Sequence, residues 1–189
     1  MRNSTTIIVF FAILVFVAWL IYRQNHFNPA VTSQPQQSEP AKNALAIGQR
    51  TKESGCVVQG PLPDSQCTPG AIFPNATVRE ICVPGYTKTV RNVPVALKHQ
   101  VYADYGIHRR SPGEYEVDHL IPLGLGGSND IANLFPEAAD PRPGYHEKDR
   151  VDSYLHDAVC AGRMDLKAAQ TTIANDWLSF YKRMNEAGL

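Results

Sequence analysis

The chain has 189 residues, 43% of them hydrophobic, with 18 Lys and Arg against 18 Asp and Glu. That hydrophobic share excludes disorder throughout and suffices for one domain with a core. Zero net charge excludes a protein that attracts a polyanion through an overall positive field. The distribution is uneven, however: Arg79 to Arg110 holds six basic against two acidic residues, and Ser111 to Leu189 seven against thirteen.

The uncharged run IIVFFAILVFVAWLIY, residues 7–22, lies between Arg2 and Arg23 and is the stretch suited to enter a bilayer. A membrane span takes about 20 apolar residues and a signal-peptide core about 7 to 15, so this run falls between them. No small-x-small cleavage site follows. Residues 1–23 are therefore expected to form an uncleaved signal anchor, with a signal peptide as the alternative, and the chain is exported either way. Residues 24–54 turn to Gln, Ser, Pro, Asn and Ala, too few large apolar side chains to repay ordering, and are expected to be a disordered tether. The folded domain is expected over 55–189.

All four cysteines follow the apolar run, as an oxidising compartment would use them for two disulfides. Of the three pairings, Cys56 with Cys67 would close a small loop, and Cys82 with Cys160 would staple the start of the domain to a later helix. Free thiols or a metal site are the alternative, but no close CxxC pair supports a zinc knuckle. Prolines and glycines between Gly55 and Pro74 predict an irregular lead-in.

Pro94 at a first turn, Leu97, Val101 and Tyr105 on one face, and Gly106 as a stop predict a short helix in VPVALKHQVYADYG. Glu114 to Leu123 alternates and predicts a strand ahead of a Gly-Gly turn. Helical spacing returns over Tyr145–Cys160, with Val151, Tyr154, Leu155, Ala158 and Val159 as its buried stripe. A last helix follows Asp165 through Leu166, Ala169, Ile173, Trp177 and Phe180. The fold class expected from this order is α+β.

The chemistry concentrates in VDHLIPLGLGGSNDIANLFPE, Val117 to Glu137. Adjacent strand residues point to opposite faces, so Asp118 and His119 divide their labour. A carboxylate suits a hard divalent cation, and an imidazole titrating near 6.5 can deprotonate water at neutral pH. Gly124, Gly126 and Gly127 let the chain turn back, and Asn133 returns a neutral amide fourteen residues after His119.

This stretch resembles the HNH nucleases of the ββα-metal superfamily. The likeness lies in Asp118-His119, the Ile-Pro-Leu that follows, Gly126-Gly127-Ser128-Asn129, and Asn133-Leu134; it extends over about Tyr115 to Asp149, and the flanks look like those of small bacterial exported HNH proteins. It implies a ββα-metal core at about 115–160 embedded among helices, and metal-dependent hydrolysis of nucleic-acid phosphodiesters, DNA favoured. His119 would be the general base, oriented through its other ring nitrogen by a backbone carbonyl. Asp118 would hold one divalent ion (Mg, Mn, Ni or Zn), with Asn133 as orienting residue or direct ligand. His146 is the match for the third ligand, though its gap from His119 is longer than usual and the cysteine pairs of zinc-containing members are missing.

Arg91, Lys98, Arg109 and Arg110, with Arg79 and Lys88 alongside, are candidates to bind the nucleic acid, and Lys148 to contact the scissile phosphate. Glu137 could sit behind the metal ligands. His99, His108 and His156 read as surface residues, and Trp177 and Tyr181 as core. The implied location is the bacterial inner membrane, held by residues 7–22 and facing the periplasm or exterior, or secretion if the segment is cleaved. The alternative function is an exported metal- or nucleic-acid-binding protein on a degenerate HNH fold.

Overall fold

The structure is a computed structural model that describes residues 47–189 together with Trp19. The rest of the 7–22 run, expected to enter the membrane, and the tether up to residue 46 lie outside the described residues. Among those described, no helix is long and apolar enough to cross a membrane.

The described end of the tether is bound to the domain. The Gly48 N–H donates to the Gly70 carbonyl, and those of Thr51 and Lys52 to the Gln66 carbonyl. Lys52 Nζ pairs with Asp64 at 2.8 Å, and Arg50 pairs with Asp104. The domain therefore begins ahead of the expected boundary at Gly55, and these residues fall within one unit, Asn43–Leu189. Composition could not show this, because two buried carboxylates, Asp64 and Asp104, hold the segment rather than apolar side chains of its own.

Residues 55–74 contain two isolated bridges, Gln59–Leu62 and Ile72–Gly127, and the Cys56–Cys67 disulfide, with no longer regular element. Helix α1, Val78–Ile81, starts in a capping box: Thr77 Oγ1 accepts from the Glu80 N–H, and the Glu80 carboxylate accepts from the Thr77 N–H. Helix α2, Tyr86–Val90, follows. Helix α3, Val95–Asp104, begins after Pro94 as expected, but it buries Val101, Tyr102 and Asp104 rather than the stripe ending at Tyr105. Asp104 can be buried because Arg50 and Gln100 satisfy its carboxylate.

Strand β1, Tyr115–His119, pairs antiparallel with β2, Leu134–Ala138, placing Asp118 opposite Phe135 and His119 opposite Leu134. The strand ends four residues short of the expected Leu123, because the chain bends at Leu120 into a loop with two 3-10 turns, Leu123–Leu125 and Ile131–Asn133. A side chain at Gly127 would put its Cβ 1.8 Å from the Ile121 carbonyl oxygen, so the loop can fold back on itself only over a glycine there.

Helix α4, Tyr145–Cys160, and helix α5, Leu166–Glu186, form the main packed pair. Asp165 caps α5 by accepting from the Ala168 N–H at 3.0 Å. Val151, Leu155 and Val159 of α4 pack with Ala169, Ile173 and Trp177 of α5, and with Ile121 and Leu125 of the loop. Each Val, Leu or Ile among them contributes roughly 1.5–3 kcal/mol by leaving water. The core thus grips the loop that follows His119. Cys82 and Cys160 join the end of α1 to the end of α4. Among the described residues the fold is α+β, with one two-stranded sheet and both disulfides in the expected pairing, as proteins of an oxidising compartment carry them.

Candidate active site

The alternation of β1 sends its last two side chains to different partners. Asp118 Oδ2 accepts from Lys148 Nζ of α4 at 2.6 Å. The same ammonium donates to the His119 carbonyl at 2.8 Å and to both oxygens of Asp152, 3.1 and 3.3 Å away. Lys148 and Asp152 are four residues apart on one helix face, so a single cation gathers strand and helix. Burial alone would lower the Lys148 pKa, but Asp118, Asp152 and Glu137 raise it and keep the ammonium charged. Burial would likewise raise Asp118, yet Lys148 holds its carboxyl below the ordinary value. Lys148 is 0% exposed, so the expected contact between its side chain and a phosphate does not hold here: the ammonium is spent on internal acceptors.

Glu137, opposite Glu116 across the hairpin, is 1% exposed, and neither of its carboxylate oxygens meets a donor. Burial first, then the negative charges of Asp118 and Asp152, push its pKa well up.

His119 is 2% exposed, and burial lowers its pKa from the ordinary 6.5 against the opposing pull of Asp118. The ring is therefore neutral at pH 7, the form that can accept a proton. Its Nε2 lies 3.2 Å from Asn129 Oδ1. Asn129, which carried no role in the sequence beyond its place after Gly-Gly-Ser, also donates to the Val90 carbonyl at 2.7 Å and accepts from the Asn92 N–H at 3.1 Å.

Asn133 holds the loop instead of facing the site. Its Oδ1 accepts from the Ile121 N–H at 2.9 Å, and its Nδ2 donates to the carbonyls of Ile121 and Ser128, both at 2.9 Å. Its Oδ1 also accepts from the Ala71 N–H at 3.4 Å. Both ends of the amide are committed to backbone inside the protein, so Asn133 here braces the loop that carries Ser128 and Asn129.

His146 is exposed at the start of α4, its ring 4.2 Å from that of Tyr145. The structure does not draw Asp118, Asn133 and His146 into one set of ligands. A hard cation prefers oxygen donors, and Glu116, Asp118 and Asp149 supply three within electrostatic reach of one another, with His146 in reach of Asp149. Burial and then these neighbours push Glu116 up to about 7 and raise Asp149, a repulsion that a bound cation relieves. Their ligand atoms do not converge within 4.8 Å, so among the described residues these carboxylates share a charge environment and not a formed set of ligands.

Among the described residues one group of His, Cys or carboxylate ligand atoms does converge that closely: Cys82, His156 and Cys160. In the disulfide the two sulfurs offer no thiolate, so this group holds no metal as long as it stays oxidised. His156, expected at the surface, is partly covered; its Nε2 lies 3.3 Å from the Ile81 carbonyl.

Of the basic candidates, Arg91 is an exposed cation whose charge reaches His119, Glu116 and Asp149. Lys98, Arg109 and Arg110 are exposed on and after α3, and the Arg110 guanidinium lies 3.7 Å over the Tyr102 ring. An open groove of about 400 Å³, lined by Thr87, Arg91, Leu123, Ser153 and His156 among others, runs beside the site and shares Arg91 with it. Comparison of the chain with protein-family models, with curated proteins and with solved structures finds no match.

Proposed function

We propose that the chain is an exported HNH-type endonuclease that hydrolyses nucleic-acid phosphodiester bonds, with DNA the favoured substrate. The observation that carries this reading is a neutral, nearly buried His119 beside Asp118 at the end of a hairpin, followed in the chain by a helix that bonds back to both residues. His119 takes the proton of the attacking water. Arg91 binds the phosphate, its planar fork matching two oxygens. Asp118, with Glu116 and Asp149, would hold one divalent ion. When bound, such an ion neutralises the phosphate and stabilises the leaving oxygen.

The test is to incubate the full chain with plasmid and single-stranded DNA in the presence of Mg, Mn, Ni or Zn. Cleavage is expected to need the metal and to fall by about 10²–10⁴ in His119→Ala; equal cutting by wild type and variant would sink the assignment. The Lys148 ammonium already seated on Asp118 Oδ2 favours a second reading, a module that binds nucleic acid or metal without cutting. Binding without turnover by the wild type across all four metals would support it.

Tethering to the inner membrane through residues 7–22 belongs to the same proposal. Cell fractionation checks it, since deleting 7–22 should move the protein out of the membrane pellet.

A further inference from the structure

We propose that Asn129 is the positioning residue of the site: it decides which ring nitrogen of His119 is free to take a proton, and it seats Arg91 beside that ring. The inference rests on the reading of His119 as general base, and it can be tested without turnover.

An amide side chain can be turned either way, and its partners decide which end is oxygen. Here the partners are backbone groups with fixed roles. The Asn92 N–H can only donate, so the atom 3.1 Å from it is the amide oxygen. The Val90 carbonyl can only accept, so the atom 2.7 Å from it is the amide nitrogen. It is therefore an oxygen that faces His119 Nε2 at 3.2 Å. An amide oxygen only accepts, so Nε2 carries the ring proton, and in the neutral imidazole Nδ1 keeps the lone pair. Nδ1 is thus the nitrogen that accepts the proton of the attacking water. In the chain's HNH resemblance a backbone carbonyl has this orienting task; here a side chain does it.

The two other bonds of the same amide bracket Arg91. Val90 and Asn92 are its neighbours on either side, and both are tied to Asn129. The amide that orients the base therefore also fixes the backbone on either side of Arg91, an exposed cation whose charge reaches His119, Glu116 and Asp149. Asn129 is itself placed by the loop, since Asn133 Nδ2 holds the carbonyl of the preceding residue, Ser128.

The experiment uses the full chain with ¹⁵N-labelled histidine, recorded well above the ordinary histidine pKa, with His119→Ala identifying the ring signals. The wild type is expected to show His119 as the Nε2–H tautomer, with Nδ1 unprotonated and the Nε2 proton protected from exchange. Asn129→Ala should lose that protection. Asn129→Asp keeps an acceptor for the ring and the Asn92 N–H but loses the donor to the Val90 carbonyl, so it should keep the Nε2–H tautomer while raising the pH at which the ring takes its second proton. In cleavage assays Asn129→Ala should lower kcat by about tenfold to a hundredfold. Arg91→Ala should raise KM in the wild type, with a much smaller further effect in Asn129→Ala.

An Nδ1–H ring in the wild type, or a ring signature unchanged in Asn129→Ala, overturns the inference. If the wild type does not cut DNA at all, the proposed function fails, while the ring signature still decides whether Asn129 positions His119.

Discussion

Burying an ammonium costs several kcal/mol unless acceptors surround it, and Lys148 has Asp118, Asp152 and the His119 carbonyl within hydrogen-bonding distance. Removing the cation alone leaves these carboxylates uncompensated, so Lys148→Met is expected to lower the unfolding free energy by about 3–5 kcal/mol, read as a fall in the urea midpoint. An unchanged midpoint would mean that the carboxylates take up protons without cost. Asn133 acts by another route. Asn133→Ala orphans the Ile121 N–H and the carbonyls of Ile121 and Ser128 in the interior, and a loss of about 2–4 kcal/mol is expected by the same measurement. The spacing of Asn133 from His119 marks it as belonging to the site. Its task became visible only with its four backbone partners, which are loop groups with no pattern of residue type.

At the scale of the element, β1 carries the pH dependence. Glu116 has its pKa raised from 4.5 to about 7, first by burial and then by Asp118 and Asp149. The folded chain therefore binds more protons than the unfolded chain between those values. The contribution of the protonated form is fully present below about pH 4.5 and is lost as pH rises through 7. Glu116→Gln removes this loss, so its Tm should fall less between pH 5 and pH 8 than that of the wild type; an identical fall would place the pH dependence on other groups, such as Asp152. The two long helices were legible in the sequence because α4 and α5 repeat their apolar residues over several turns. Helices α1 and α2, at four and five residues, are shorter than the two turns over which such a period shows. In α3 the buried face shifted toward Tyr102 and Asp104, because Arg50 neutralises a carboxylate that the sequence pattern counts as exposed.

Across the whole molecule, the disulfides close loops of very different length, separations of 78 for Cys82–Cys160 and 11 for Cys56–Cys67. Chain entropy assigns them about 4.5 and about 2.8 kcal/mol. The pair Cys82→Ser with Cys160→Ser is accordingly expected to destabilise the protein by about 2 kcal/mol more than Cys56→Ser with Cys67→Ser, compared by chemical unfolding; the reverse order would show that native packing outweighs chain entropy. What the sequence determined by itself is what local order encodes: the α4 and α5 stripes, the Asp165 cap, the glycine-dependent turn at 126–127 and the separation of Asp118 from His119 onto two faces of a strand. The tertiary structure alone decided which partners those two residues meet. Lys148 reaches Asp118 across 30 residues, Asn129 joins His119 to the segment around Arg91 across nearly 40, and Arg50 finds Asp104 across 54. A backbone period carries information over a few residues, whereas a charge or an amide takes its role from whatever the packed core brings within about 3 Å of it.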